Sequence, residues 1–122
     1  MTWELKTDRP IYTQLVDQIK LRIISGIYAP GEKIPSVRDL AFEASVNPNT
    51  MQRALSELER DGLVFSQRTS GRFITEDEKM INEIKDSLAK EQILEFFEKM
   101  EKLGYNKKDT LTLMENTLKE MA

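Results

Sequence analysis

Apolar positions along the first part of the chain recur at helical spacing. Ile11, Leu15, Ile19 and Ile23, with Val16 and Ile24 one position round, form a stripe that begins just after Pro10, a residue favoured in a helix's first turn. The stripe stops at Ser25-Gly26, where glycine can take the left-handed conformation that closes a helix, and Pro30-Gly31 then forces a turn. Ile34 is expected in a short edge strand. A second helix is predicted from Ser36, whose hydroxyl can accept an orphan amide while Asp39, three residues on, complements the positive helix end. Val37, Leu40 and Ala41 are its apolar positions; they leave Arg38 exposed in the first turn, and the helix should end around Ala44-Ser45.

The clearest start signal is Asn47-Pro48, because asparagine is among the best N-caps and proline at the first helical position loses no hydrogen bond. Val46 and Met51 then occupy the two positions of a hydrophobic staple. About three residues separate the second and third helices, the length of a helix-turn-helix corner. Met51, Ala54, Leu55 and Leu58 form the inward stripe of the third helix, which gathers Asn49, Gln52 and Arg53 on its outward face. Asp61-Gly62 is a glycine stop. Leu63-Val64-Phe65 and Phe73-Ile74 follow as two strands around the loop Gln67-Arg68-Thr69-Ser70-Gly71, so a basic hairpin comes directly after the outward helix.

Beyond Glu76 the pattern becomes a charged helical repeat. Ile81, Ile84 and Leu88 keep one stripe and Ile93, Phe96, Phe97, Met100 and Leu103 another; the five-residue step between them predicts a rotated stripe or a bend. Gly104 closes this helix, and Asn106 with Asp109 caps a last one whose Leu111, Met114, Leu118 and Met121 follow helical spacing. Two amphipathic helices totalling roughly 45 residues cannot bury their stripes on each other alone and need the first helix or a second subunit. A homodimer is expected, with Ile84, Leu88, Ile93, Phe96, Phe97, Met100, Leu111, Met114 and Leu118 at its interface. The fold class that results is mainly α with a small β wing: a winged helix-turn-helix domain over residues 1–75, then a short C-terminal α-helical dimerisation region over residues 76–122.

Composition narrows the function. A chain of 122 residues with 39% apolar content supports one small domain with a helical appendage. Cysteine and histidine are both absent, which removes thiol chemistry, the commonest metal ligand and the commonest general base. The five scattered glycines make neither a dinucleotide fingerprint nor a P-loop, so no enzyme, cofactor or metal site is expected. No run approaches the roughly 18 apolar residues of a membrane span, and the N-terminus, with Glu4 and Asp8, lacks a signal-peptide pattern, so a cytoplasmic protein without a membrane partner is expected.

The net charge of −3 is unevenly spread. Residues 1–75 hold 10 basic and 9 acidic residues, whereas residues 76–122 hold 8 and 12. Between Ile34 and Thr75 every cation is an arginine: Arg38, Arg53, Arg60, Arg68 and Arg72. The planar guanidinium suits phosphate and guanine edges better than lysine's point charge.

Each candidate has a plainer alternative. Arg38 can meet a phosphate or pair with Asp39 or Glu43. Gln52 can make a bidentate pair with adenine or be a solvated helix position. Arg53 can reach a phosphate or pair with Glu57 one turn on, an interaction worth only a few tenths of a kcal/mol. Asn47 is first a cap and Thr50 a support for the turn, but the free amides there are a natural phosphate seat. Arg68 and Arg72 flank the wing loop and can touch DNA or keep an edge hairpin soluble. Phe96, Phe97, Met100 and Met114 read as core or subunit interface before they read as a ligand pocket.

Residues 10–75 resemble the DNA-binding domain of the GntR family of bacterial transcription regulators. The run Gly26-Ile27-Tyr28-Ala29-Pro30-Gly31-Glu32-Lys33-Ile34-Pro35-Ser36-Val37-Arg38-Asp39-Leu40-Ala41 is similar to that family's N-terminal signature. Asn47-Pro48-Asn49-Thr50-Met51-Gln52-Arg53-Ala54 and the short two-helix tail resemble its YtrA-type branch of small dimeric repressors. The resemblance implies DNA contacts at Arg38 on the second helix, at Asn47, Asn49, Thr50, Gln52 and Arg53 on the recognition helix, and near Thr69 and Gly71 in the wing. Pro48 and Gln52 stand where many relatives carry arginines, and Thr69 where a glycine is common, so base preference does not transfer.

The expected function is a sequence-specific, DNA-binding transcription regulator: a homodimeric repressor whose partner is a double-stranded, inverted-repeat operator. The competing reading is a winged-helix protein-interaction module. The tail is too short for a separate sensor domain. A small-molecule effector held between subunits stays open, and the sequence identifies none.

Overall fold

Five helices and one hairpin follow one another in the computed structural model, which describes residues 2–122: α1 (Ile11–Ile24), α2 (Val37–Ala44), α3 (Pro48–Arg60), β1 (Val64–Gln67), β2 (Gly71–Ile74), α4 (Glu78–Lys102) and α5 (Lys107–Met121). They divide between two compact units, one running to Ile84 and one from Lys85 to Ala122. None of the described helices is long and apolar enough to cross a membrane.

The helix ends in the first unit are set by short-range chemistry. Ser36 Oγ accepts from the Asp39 amide at 3.1 Å and starts α2. Asn47 Oδ1 accepts from the Asn49 amide at 2.8 Å and starts α3, with Pro48 at its first position. Pro10 stands at the N-cap of α1, with an extended ψ of 135°, rather than inside the first turn. The corner between α2 and α3 turns on Ser45, the only described non-glycine residue with a positive φ (55°). The amides of Ser45 and Val46 there return to the carbonyls of Phe42 and Ala41. Gly62 closes α3 in the same way with a φ of 82°, a conformation that costs a residue with a Cβ about 1–2 kcal/mol.

α1 and α2 both pack on α3, and α3 also meets β1. Leu15 and Ile19 from α1, Leu40 from α2, Met51, Leu55 and Leu58 from α3, and Leu63 and Val64 are all wholly inaccessible to solvent. The hairpin is antiparallel, with Val64 opposite Ile74, Phe65 opposite Phe73, Ser66 opposite Arg72 and Gln67 opposite Gly71. The edge strand expected at Ile34 is reduced to one bridge between Lys33 and Phe73. Its ladder cannot lengthen, because Pro35 has no amide to donate and Ser36 already caps α2.

A feature the sequence pattern does not announce is the N-terminal segment laid along α1. Gln14 accepts from the Lys6 amide (2.6 Å) and donates to the Lys6 carbonyl (2.7 Å), and Gln18 does the same for Glu4. Two residues of extended chain span about 6.6 Å and four residues of helix about 6 Å, so glutamines one turn apart match alternate backbone residues of the segment. Trp3 and Leu5, on the other side of that alternation, pack on the core. Arg22 is buried here: its Cζ lies 3.9 Å from the centroid of the Trp3 ring, and its Nη1 donates to Tyr28 Oη at 2.9 Å.

α4 belongs to both units. Asp77 Oδ1 caps it by accepting from the Met80 amide at 3.1 Å, and Met80, Ile81 and Ile84 pack on the first core. The step in the apolar stripe falls within one continuous helix. In the second unit α4 ends at Gly104, where the Gly104 and Tyr105 amides bond back to Glu101 and Met100. Asn106 Oδ1 then caps α5 at the Asp109 amide (2.8 Å), and Thr110, wholly buried, donates to the Asn106 carbonyl (2.8 Å).

Candidate nucleic-acid interface

Asn49, Gln52 and Arg53 are exposed together on α3, Thr50 is half-buried beside them, and the first amides of the helix lie at the same end. The Asn47 side-chain oxygen is occupied by its cap. Arg38 is exposed in the first turn of α2 and makes no hydrogen bond or ion pair among the described residues, so neither Asp39 nor Glu43 claims it.

Arg53 does not pair with Glu57. Its Cζ lies 3.6 Å from the centroid of the Tyr12 ring, and Glu57 takes Arg60 instead, at 3.0 Å. The packing of α1 on α3 brings Tyr12 within reach. An exposed cation over a tyrosine face is worth about 0.5–1 kcal/mol, more than the few tenths of an i,i+4 ion pair, and it leaves the guanidinium edge free to donate.

In the wing, Arg68, Thr69 and Ser70 form the exposed loop, closed by the Ser70 amide on the Gln67 carbonyl at 3.0 Å. Gly71 follows with a φ of 104°, and a Cβ there would stand 3.1 Å from Lys33 Cε. Lys33, which sequence reasoning did not single out, thus lays a cation beside the loop. Arg68 is exposed and unpaired among the described residues.

Arg72 is placed differently from Arg68. It shares a hairpin face with Ser66, and its Nε donates to Glu59 Oε1 at 2.6 Å while its Nη2 donates to Gln52 Oε1 at 3.2 Å. Ser66 Oγ donates to the same Glu59 oxygen, and Gln52 Nε2 donates to Ser56 Oγ at 3.2 Å. Partial burial works to raise the Glu59 pKa, but the hydrogen bonds from Ser66 and Arg72 and the arginine's charge outweigh it and hold the carboxyl below its ordinary value. The wing is therefore tied to the outward face of α3 through side chains. Glu59 and Ser66 were missed in the sequence because their partnership needs the hairpin folded back on the helix, and Ser56, one turn on from Gln52, was not singled out.

The residues expected at a dimer interface fall into three groups. Ile84 packs on the first core, because it lies in the early turns of α4. Leu88, Phe97 and Met100 are half-buried, as is Met114. Ile93, Phe96, Leu111 and Leu118 are exposed, and Phe96, Met100, Met114 and Leu118 line an apolar groove between α4 and α5 together with Leu113. The Phe96 and Phe97 rings meet edge to face at 6.1 Å. Among the described residues no group of three or more carboxylates is arranged to hold a metal ion.

Comparison with known proteins agrees with this architecture. Residues 11–74 match the profile of bacterial regulatory proteins of the gntR family. The helix-turn-helix-type regulator YhcF of Bacillus subtilis is 42% identical over 108 residues, 88% of this chain and 89% of that protein. The repressor YtrA of the same organism is 42% identical over 89 residues, 72% of this chain and 68% of its own length. Among solved structures, a GntR family regulator from Listeria monocytogenes superposes with a TM-score of 0.83 at 37% identity, covering 92% of this chain and 98% of that one. The DNA-binding domain of AraR in complex with its operator ORX1 superposes with a TM-score of 0.54 at 26% identity, covering 62% of this chain and 99% of that domain. The chain belongs to the gntR family of bacterial regulatory proteins as a helix-turn-helix transcription regulator.

Proposed function

We propose that this chain is a homodimeric repressor that sets α3 of each subunit into the major groove of an inverted-repeat operator, with the wing loops alongside. The observation that carries this reading is the exposed end of α3: Asn49, Gln52 and Arg53 gathered on one face, with the wing loop tied beside it through Arg72. Arg38 adds an unpaired cation for a phosphate, and Arg68, Thr69 and Gly71 carry the wing contacts. The AraR domain bound to its operator supports docking of this fold on duplex DNA, and YtrA, named a repressor, supports the direction of regulation.

A second copy of the chain is the partner that the C-terminal unit calls for. Leu111 and Leu118 are 53% and 63% exposed, Ile93 is 52% exposed, and all three carry apolar side chains that water penalises. Half-sites about 34 Å apart, or a multiple of it, follow from two-fold pairing.

The test is a fluorescence-anisotropy titration of the chain against the promoter of its own operon and a scrambled duplex, at two salt concentrations. Tight, salt-sensitive binding to the first and at least about 100-fold weaker binding to the second is expected. Arg38→Ala should weaken binding evenly across sequences and reduce the salt slope by about one. Equal, weak binding to both duplexes would remove sequence-specific repression and favour a protein-interaction role.

A further inference from the structure

We propose that Arg72 sets the base preference of Gln52 from behind, as a positioning residue that does not itself touch DNA. The inference rests on the reading of α3 as the helix that faces the bases.

A glutamine amide has nearly the same shape either way round but opposite chemistry at its two ends, an acceptor on Oε1 and donors on Nε2. On an open helix surface it turns over freely and presents either order. Arginine only donates, so the end of Gln52 that faces Arg72 has to be the oxygen, and the Nη2 to Oε1 distance of 3.2 Å fits that assignment. The other end is held by Ser56 Oγ, also at 3.2 Å. Arg72 is itself fixed, because its Nε is bonded to Glu59 at 2.6 Å and Glu59 is gripped by Ser66 across the hairpin. Gln52, Ser56 and Glu59 stand at i, i+4 and i+7, one face of α3, and Ser66 and Arg72 are a directly opposed pair on the wing.

With those bonds made, Oε1 keeps one lone pair and Nε2 one proton. They form an adjacent acceptor and donor in fixed order, the combination that matches the N6 amino group and N7 of adenine; guanine offers two acceptors there and cannot satisfy it. The arrangement uses two separate nitrogens of one planar fork, Nε for Glu59 and Nη2 for Gln52, a span that the single nitrogen of a lysine does not offer. The wing therefore contributes to base choice through the helix it braces.

The experiment begins with selection of a preferred duplex from a random library by the full chain. Anisotropy titrations then follow on a panel in which each base pair of that duplex is replaced in turn, at two salt concentrations, for the unaltered chain and for Gln52→Ala, Arg72→Met and Arg72→Lys. Gln52→Ala identifies the base pair that Gln52 reads as the one whose preference it flattens. Arg72→Met and Arg72→Lys should each reduce the preference at that same pair by about tenfold, a loss within the range of one bidentate base contact, with other positions unchanged. The salt slope should stay unchanged for Arg72→Met. Retention of the preference in both variants would overturn the proposal, as would an even loss across the panel with the slope lower by about one, which marks a phosphate contact. A Gln52→Ala chain that flattens no position, or a library that yields no preferred duplex, would instead overturn the base-reading role of α3 and this inference with it.

Discussion

Leu55 in the first unit and Leu118 in the second are both helical leucines on an apolar stripe, yet Leu55 is wholly buried and Leu118 is 63% exposed. The difference runs through the two regions. Around Leu55, three helices and a hairpin surround a core in which Leu15, Ile19, Leu40, Met51 and Leu58 are also sealed from solvent. Around Leu118 there are only two helices, Thr110 is the sole described residue there that is fully enclosed, and Leu103 and Met121 stand more than 70% exposed. A stripe tells which face of a helix seeks cover; the number of neighbouring elements decides whether the chain supplies that cover itself. The first unit closes its own core, whereas the second leaves most of its apolar stripe open to solvent.

The contrast can be broken most forcefully at Leu55. Leu55→Ala should cost about 2–5 kcal/mol, since it removes buried methyl groups and leaves a cavity, and the loss should be the same at every protein concentration in thermal or urea unfolding. Leu118→Glu should act the other way. Sedimentation should change from dimer to monomer while the first unit keeps its fold, and affinity for a duplex with two half-sites should drop by about 100-fold, with single-site affinity unchanged. A Leu118→Glu chain that stays dimeric would mean that the apolar face of α5 is covered by something other than a second copy.

The smallest effect sharpens the comparison by pH. The salt bridges among described residues, Arg9 with Asp17, Arg60 with Glu57 and Arg72 with Glu59, all lie in the first unit. The folded-state pKa of Glu59 is lowered from its ordinary value of 4.5, so its contribution to stability is complete above that value and is lost as pH falls through the lowered one. The stability gap between the unaltered chain and Glu59→Gln, less than about 1 kcal/mol for a partly exposed pair, should close on acidification below pH 4.5. A gap that persisted at the acid end would assign the effect to packing of the side chain rather than to its charge.

Local chemistry was legible in the sequence. Ser36, Asn47 and Asn106 cap the helices they were expected to cap, because an N-cap is decided within three residues of chain. The stripe of Met51, Ala54, Leu55 and Leu58 and the hairpin after Gly62 followed from spacing and turn chemistry in the same way. Partnerships between distant residues were not legible. Tyr12 under Arg53, and Arg72 on Glu59 and Gln52, join residues 13 to 41 positions apart, and no periodicity in the chain encodes them. Nothing in the apolar spacing singles out Gln14 and Gln18, although their amides serve the backbone of the N-terminal segment.

Trp3 is the single tryptophan of the chain, and it is held in the first unit beneath the guanidinium of Arg22. The molecule therefore carries an indole reporter for one of its two regions and none for the other. Indole emission follows the first unit alone, while helical circular dichroism also counts α5 and most of α4. Superposed unfolding curves from the two signals would mean that the regions melt as one cooperative body, and separated curves would time their parting without any label attached to the chain.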